Sequence, residues 1–343
     1  MLTIFSPSHR LHHATELKDG HIIPCFEMPS RADTILKRVK DMDLGDVLAP
    51  DRYDVSRYTR VHSERYVRFL QNAWIEWLAT GSTLDALPLV WPVRELRHDI
   101  EPEYIDGKLG FYAMDAGSAI TSGTWDAVSA SANTALTGMS RIVQNEKVAF
   151  ALCRPPGHHA GAEYMGGYCF LNNAAIAAQG FLDAGAKKIA VLDVDYHHGN
   201  GTQGIFYHRA DAMFVSIHGD PKTSYPYFSG HKDELGAGDG YGFNHNLPLP
   251  KGTEWDTYGD ALDQACKKIA QYAPDALVIS LGVDTFKGDP ISHFLLESTD
   301  FFKIGERLAA LNTPTLFVME GGYMVDDIGV NAVNVLLGFE GRR

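Results

Sequence analysis

Cysteine is scarce in this sequence. Cys25, Cys153, Cys169 and Cys266 lie far apart and form no CxxC pair, which excludes a disulfide framework and a cysteine-type zinc knuckle. Long apolar runs are also missing, and nothing approaches the roughly 20 residues that a membrane-spanning helix needs. Residues 1–7, Met-Leu-Thr-Ile-Phe-Ser-Pro, hold no basic stretch leading into an apolar one, so no secretion signal is expected and the chain reads as cytoplasmic. Positive charge is in short supply: 30 Lys and Arg face 43 Asp and Glu, a formal net charge of −13. Such a surface repels phosphate backbones and favours cationic ligands, which argues against nucleic acid as a partner. There is no internal repeat, low-complexity tract or linker. The rest is an ordinary globular mixture, 45% apolar and 21% charged over 343 residues, read as one domain spanning 1–343.

From about residue 120 two hydrophobic periods alternate. Helical patterns at 124–144, 172–184, 254–272 and 299–311 are interleaved with short runs rich in Val, Ile and Ala at 148–153, 189–194, 212–218, 276–281 and 315–319. These runs are apolar on both faces, as central strands of a parallel sheet are. The expected fold class is α/β, an open, doubly wound, mostly parallel sheet flanked by helices. A strand near 2–5 and helices near 27–42 and 62–79 precede it. Between residues 81 and 110 lies a proline-interrupted, weakly periodic stretch of the kind that is functional or an interface.

Ligands of open α/β sheets bind beyond the carboxyl ends of the strands. The loops expected at those ends are rich in chemistry here. Arg154-Pro-Pro-Gly-His158-His159 leaves the first central run, and Asp195-Tyr-His197-His198-Gly199-Asn200 leaves the second. Gly282-Val-Asp284 and Glu320-Gly-Gly-Tyr323 leave two others. Asp193, Asp195 and His197 alternate at period two, so an extended backbone puts them on one face. With Asp284 from another strand they make a three-ligand metal site with room for water or substrate, the pattern of catalytic zinc. The plainer alternative, a hydrogen-bonded strand end, covers D-x-D-x-H alone but not the added Asp284 and paired histidines. Of His158 and His159, one suits a general base and the other, backed by Asp193, a cation stabilising negative charge. Tyr323 after two glycines can aim a phenol at an oxyanion, although Gly-Gly-Tyr alone would as readily be a packed turn. Together these parts fit metal-assisted hydrolysis of an amide.

The stretches RPPGHHA (154–160), GGYCFLNN (166–173), DVDYHHGNGTQ (193–203), SLGVDTF (280–286) and EGGY (320–323) resemble the arginase–deacetylase fold. Within it the chain is similar to the zinc-dependent deacetylases, the histone deacetylases and above all the acetylpolyamine amidohydrolases. The resemblance implies that Asp195, His197 and Asp284 bind the catalytic Zn²⁺, or Fe²⁺ in the cell. It implies His159 as base and then acid, His158 as its electrostatic partner, and Tyr323 as donor to the scissile carbonyl. Gly167 would offer its carbonyl to the scissile N–H, and Tyr168 and Tyr225 would wall a substrate tunnel where many relatives have Phe. Asn200 stands where some relatives carry Asp behind the second histidine. The resemblance further implies structural K⁺, one ion at Asp193, Asp195, His197, Ser216 and the Ile217 carbonyl, a second at carbonyls near Phe206, Arg209, Ala212 and Phe243. A two-manganese, arginase-type centre would need acids where Gly199 and Phe286 stand, so a single metal is expected.

For the substrate, the resemblance makes the 80–110 segment a homodimer-forming insertion that narrows the tunnel and excludes bulky proteins. The expected substrate is a small cationic acetylated amine, with Asp106 as first candidate for pairing its distal ammonium and Asp115 as second. Acetyl-lysine peptides or other acyl amides are the alternative. A catalytically silent acyl-amine binding module is a third, which the full set of ligands, base and tyrosine disfavours.

Overall fold

The computed structural model describes residues 1–342. In chain order its strands are β1 (Leu2–Ile4), β2 (Thr15–Lys18), β3 (His21–Pro24), β4 (Val47–Leu48), β5 (Val148–Ala151), β6 (Ile189–Asp193), β7 (Ala212–Gly219), β8 (Asn244–Leu249), β9 (Ala276–Leu281) and β10 (Thr315–Met319). The helices are α1 (Ser30–Asp41), α2 (Glu64–Ala79), α3 (Ile105–Phe111), α4 (Thr124–Val143), α5 (Asn173–Asp183), α6 (Asn200–Phe206), α7 (Trp255–Tyr272), α8 (Asp300–Ala309) and α9 (Val325–Phe339). Eight strands form one sheet in the order β4-β1-β5-β10-β9-β6-β7-β8, and every pairing in it is parallel. β2 and β3 make a separate antiparallel hairpin.

Side-chain alternation along the strands divides the core into two layers. On β9, Ala276 and Val278 join Leu316 and Val318 of β10 beneath α2, α4 and α5. Leu277, Ile279 and Leu281 join Phe317 and Met319 beneath α1, α7, α8 and α9. The covering helices present matching stripes: Phe301, Ile304 and Leu308 of α8 recur at helical spacing and are all buried. Burial on both sides explains why the central strands read as continuous apolar runs.

The five central strands and the α4, α5, α7 and α8 helices lie where periodicity expects them. Other elements escape it. β8 opens Asn244-His245-Asn246 and contains Pro248, a composition tolerated at a sheet edge but unlike a core strand. α9 is apolar around most of its circumference and shows no period. The 81–110 stretch is irregular up to Tyr104 and then turns into α3. Among the described residues no helix is long and apolar enough to cross a membrane. The sheet brings the carboxyl ends of β5, β10, β9 and β6 side by side, and the loops that leave them meet above it.

Candidate active site

Asp195, His197 and Asp284 converge at that rim, all buried, with ligand atoms within 4.8 Å of one another. His197 Nδ1 lies 2.8 Å from Asp284 Oδ2 and 3.3 Å from Asp195 Oδ1. The carboxylates are oriented from behind by backbone donors: Gly321 N–H reaches Asp195 Oδ2 at 2.8 Å, and Tyr196 N–H reaches Asp284 Oδ1 at 2.7 Å. Space for them depends on glycine. A Cβ on Gly282 would stand 2.0 Å from Asp195 Oδ2, and one on Gly321 would stand 2.5 Å from the same atom. Burial disfavours a charged imidazole at His197, but the hydrogen bonds and charges of Asp195 and Asp284 outweigh it and lift the pKa to about 10. Two carboxylates and an imidazole, buried and aimed at one point, form a donor set that suits a divalent ion, whose entry would displace that proton.

The two histidines of the β5–α5 loop sit beside this cluster, with ring centroids 4.0 Å apart. Glu320, at the end of β10, holds their backbone by accepting from Gly157 N–H at 2.6 Å and His158 N–H at 3.1 Å. His158 Nδ1 lies 2.9 Å from Asp193 Oδ2. Burial lowers its pKa, yet Asp193 and Asp195 together raise it to about 10, so it is a cation. At His159 burial and the positive charges of His158 and His197 act together and hold the pKa well below the ordinary 6.5. His159 Nδ1 lies 2.6 Å from Asn200 Oδ1. The Asn200 amide donates to the His159 carbonyl and to the Tyr164 hydroxyl, which fixes Oδ1 as the atom facing the ring. An amide oxygen only accepts, so Nδ1 carries the hydrogen and Nε2 keeps a free lone pair.

A cavity of about 470 Å³ opens above these groups, lined among others by His159, His197, Gly167, Tyr168, Tyr225 and Tyr323. Gly166 to Cys169 form a tight turn with positive φ at both central positions, Gly167 (52°) and Tyr168 (69°), closed by Cys169 N–H to Gly166 carbonyl at 2.9 Å. A Cβ on Gly167 would come within 2.3 Å of His159 Cδ2, so only glycine lets the chain pass there. The turn throws Tyr168 against Tyr323, with ring centroids 5.6 Å apart, while Tyr225 meets His159 edge-on at 5.0 Å. Tyr323 is positioned by Asp289, which accepts from its N–H at 2.7 Å, and by buried Arg31, whose guanidinium lies 4.8 Å from the ring centroid. Burial keeps its phenol protonated, the pKa pushed well above 10.

Several expected residues behave differently. Asp115 lines the cavity but is already engaged: Oδ1 accepts from Gly117 N–H, and Oδ2 from Gly167 N–H at 3.0 Å and from the Tyr225 hydroxyl. Asp106 lies away from the cavity lining of its own chain. It sits exposed in the first turn of α3. For the expected alkali sites, Asp193 stands opposite Ser216 in the β6–β7 register, with Asp195, His197 and Ile217 buried nearby. Phe206, Arg209 and Ala212 gather where α6 leads into β7, and the Phe243 carbonyl accepts from Phe214 N–H there. Glu16, Arg31 and Asp289 carry no signal in the sequence, and Glu320 stands there as part of a motif without a role of its own. Each acts through a partner remote along the chain, which no local spacing marks.

The histone deacetylase domain family matches residues 25–338. The chain is 60% identical to acetylpolyamine amidohydrolase 2 of Pseudomonas aeruginosa over 99% of both chains. It is 49% identical to the acetylpolyamine amidohydrolase of Mycoplana ramosa, over 99% of this chain and all of that one. The crystal structure of an acetylpolyamine aminohydrolase from Burkholderia pseudomallei superposes with a TM-score of 0.94 at 38% identity, covering 99% of this chain and 98% of that one. The expected arginase–deacetylase fold is therefore the fold observed. Site geometry, parallel sheet and full-length similarity agree that the chain belongs to the histone deacetylase family, in its acetylpolyamine amidohydrolase branch.

Proposed function

We propose that the protein hydrolyses the acetyl amide of acetylated polyamines, releasing acetate and the free amine. One observation carries the reading: adjacent imidazoles, one cationic against Asp193 and one neutral with a free Nε2, face a buried cluster of two carboxylates and an imidazole. Asp195, His197 and Asp284 would hold a single divalent ion, zinc or ferrous iron, which when bound supplies Lewis acidity toward the scissile carbonyl and toward water. His159 Nε2 takes the proton of the attacking water and delivers it to the departing amine. The Tyr323 hydroxyl donates to the carbonyl oxygen as negative charge gathers there, and the His158 cation stands against the same charge. The Gly167 carbonyl, in the turn beside His159, accepts from the scissile N–H.

A narrow cavity between Tyr168 and Tyr225, a net charge of −13, and relatives named for acetylpolyamines support this substrate class. Potassium at the Asp193–Ser216 site would be structural and would brace the strand end from which Asp195 and His197 project. The chain would act as a homodimer: Leu84, Leu89, Val93, Leu96 and Ile100, all within one irregular segment, are each largely exposed. A side-by-side rate comparison of the metal-loaded protein tests the reading. Acetylputrescine and acetylspermidine are expected to be turned over far faster than acetyl-lysine peptides. Preference for the peptides would replace the polyamine reading with that of a peptide deacetylase.

A further inference from the structure

Asp115 lines the cavity with both carboxylate oxygens engaged. It stands in a short segment laced to the chain that leads into the Gly166–Cys169 turn. Met165 N–H donates to the Tyr112 carbonyl at 2.8 Å, and Met114 N–H to the Met165 carbonyl at 2.9 Å. A Cβ on Gly166 would come within 2.2 Å of Met114 Cγ, so the two segments approach this closely only across a glycine. Asp115 Oδ1 accepts from Gly117 N–H at 2.9 Å, which braces the carboxylate from its own segment. Oδ2 joins the two walls of the cavity, accepting from Gly167 N–H at 3.0 Å and from the Tyr225 hydroxyl. Burial, reinforced by the Asp115 charge, keeps that phenol protonated, its pKa well above 10, so the hydroxyl is the donor. Tyr225 borders two cavities: the one above His159, and another of about 880 Å³ that it shares with Tyr164, Tyr207 and Phe228. A ring bordered in this way is held less by close packing, and its hydroxyl contact carries more of its placement.

We infer that Asp115 is a positioning residue, a clasp that ties the Gly167 backbone to the Tyr225 ring and so fixes the passage through which the acyl amide reaches His159. The inference rests on the amidohydrolase reading and deepens it. Gly167, whose N–H is pinned by Asp115, is the residue whose carbonyl would meet the scissile N–H. The Tyr225 ring stands edge-on to His159 with centroids 5.0 Å apart. Both guides for the substrate hang from one carboxylate, and a misplacement of about 1 Å at such guides is felt as lost turnover.

Steady-state kinetics of the zinc-loaded enzyme on acetylputrescine test it with three variants. Asp115→Ala removes the acceptor and is expected to lower kcat roughly ten- to hundredfold while KM moves far less. Asp115→Asn drops the charge but keeps an oxygen for Gly167 and Tyr225, and most of the turnover should return. Tyr225→Phe keeps the ring and cuts one of the two ties, so its kcat should fall between those of Asp115→Ala and wild type. Wild-type kcat in Tyr225→Phe would overturn the clasp, and this variant decides alone if circular dichroism shows Asp115→Ala unfolded. So would an Asp115→Asn as impaired as Asp115→Ala, which marks the charge and not the hydrogen bonds as the working property, or a loss confined to KM. Wild-type enzyme that turns over neither acetylputrescine nor acetylspermidine would instead overturn the amidohydrolase reading, an outcome separable because it involves no variant.

Discussion

Histidines 158 and 159 are neighbours in sequence and opposites in charge, and the difference comes from the atom each Nδ1 meets. A carboxylate oxygen of Asp193 holds His158 protonated, whereas an amide oxygen of Asn200 gives His159 a tautomer without a charge. Among the described residues the Tyr323 phenol has no such side-chain partner, and it lines the cavity. Tyr323→Phe is expected to keep the metal and lower kcat by about 10²–10³-fold, the scale of losing one oxyanion donor. Turnover equal to wild type, with metal content measured alongside, would remove Tyr323 from the chemistry. At this scale much is legible in the amino acids alone. Asp195 and His197 announce themselves by period two, and Asp284 by its place after a buried strand. Asp106 is harder to read, because an acid in an irregular stretch carries no sign of which way it points. Glu16 escapes for the converse reason, since its mark is burial against Tyr168, a residue 152 positions away.

Elements deliver these residues through strand ends that leave no space for side chains. Gly282 follows β9 and Gly321 follows β10, and both back onto Asp195. Gly282→Ala is expected to push Asp195 aside, so that metal content by elemental analysis and activity fall together while the circular dichroism spectrum stays native. Full metal occupancy in that variant would show that the strand end can yield. Periodicity locates the strands that place these loops because parallel strands buried on both faces cannot hide. It misses β8, whose Asn244 and Asn246 serve as hydrogen-bond donors to Gln203 Oε1 rather than as core, and it misses the β2–β3 hairpin. The hairpin alternates Glu16 and Lys18 on one side at a site mouth, a pattern that reads in sequence as a solvated surface.

Across the whole molecule, burial imposes a pH dependence that belongs to folding rather than to catalysis. His12, His62 and His218 are held by burial at about 4, below the ordinary 6.5. The unfolded chain takes up their protons near pH 6.5, and the folded chain does so only near 4. Stability is therefore full above pH 6.5 and is lost as pH falls through that window, by about 2 kcal/mol per histidine at pH 5. Urea midpoints at pH 7 and pH 5 measure this. His62→Gln, which removes a ring bonded to Gly161 carbonyl and Asn172 N–H, should lose less between the two pH values than wild type, and an identical loss would clear His62 of any share. The sheet that carries the reacting groups is built of deeply covered strands, whereas Glu16 and Lys18 ride on a two-stranded flap joined to no other strand. Part of the cavity mouth thus belongs to a ribbon outside the register of the main sheet, so a substitution there leaves the strand pairings that seat Asp195 and Asp284 as they are.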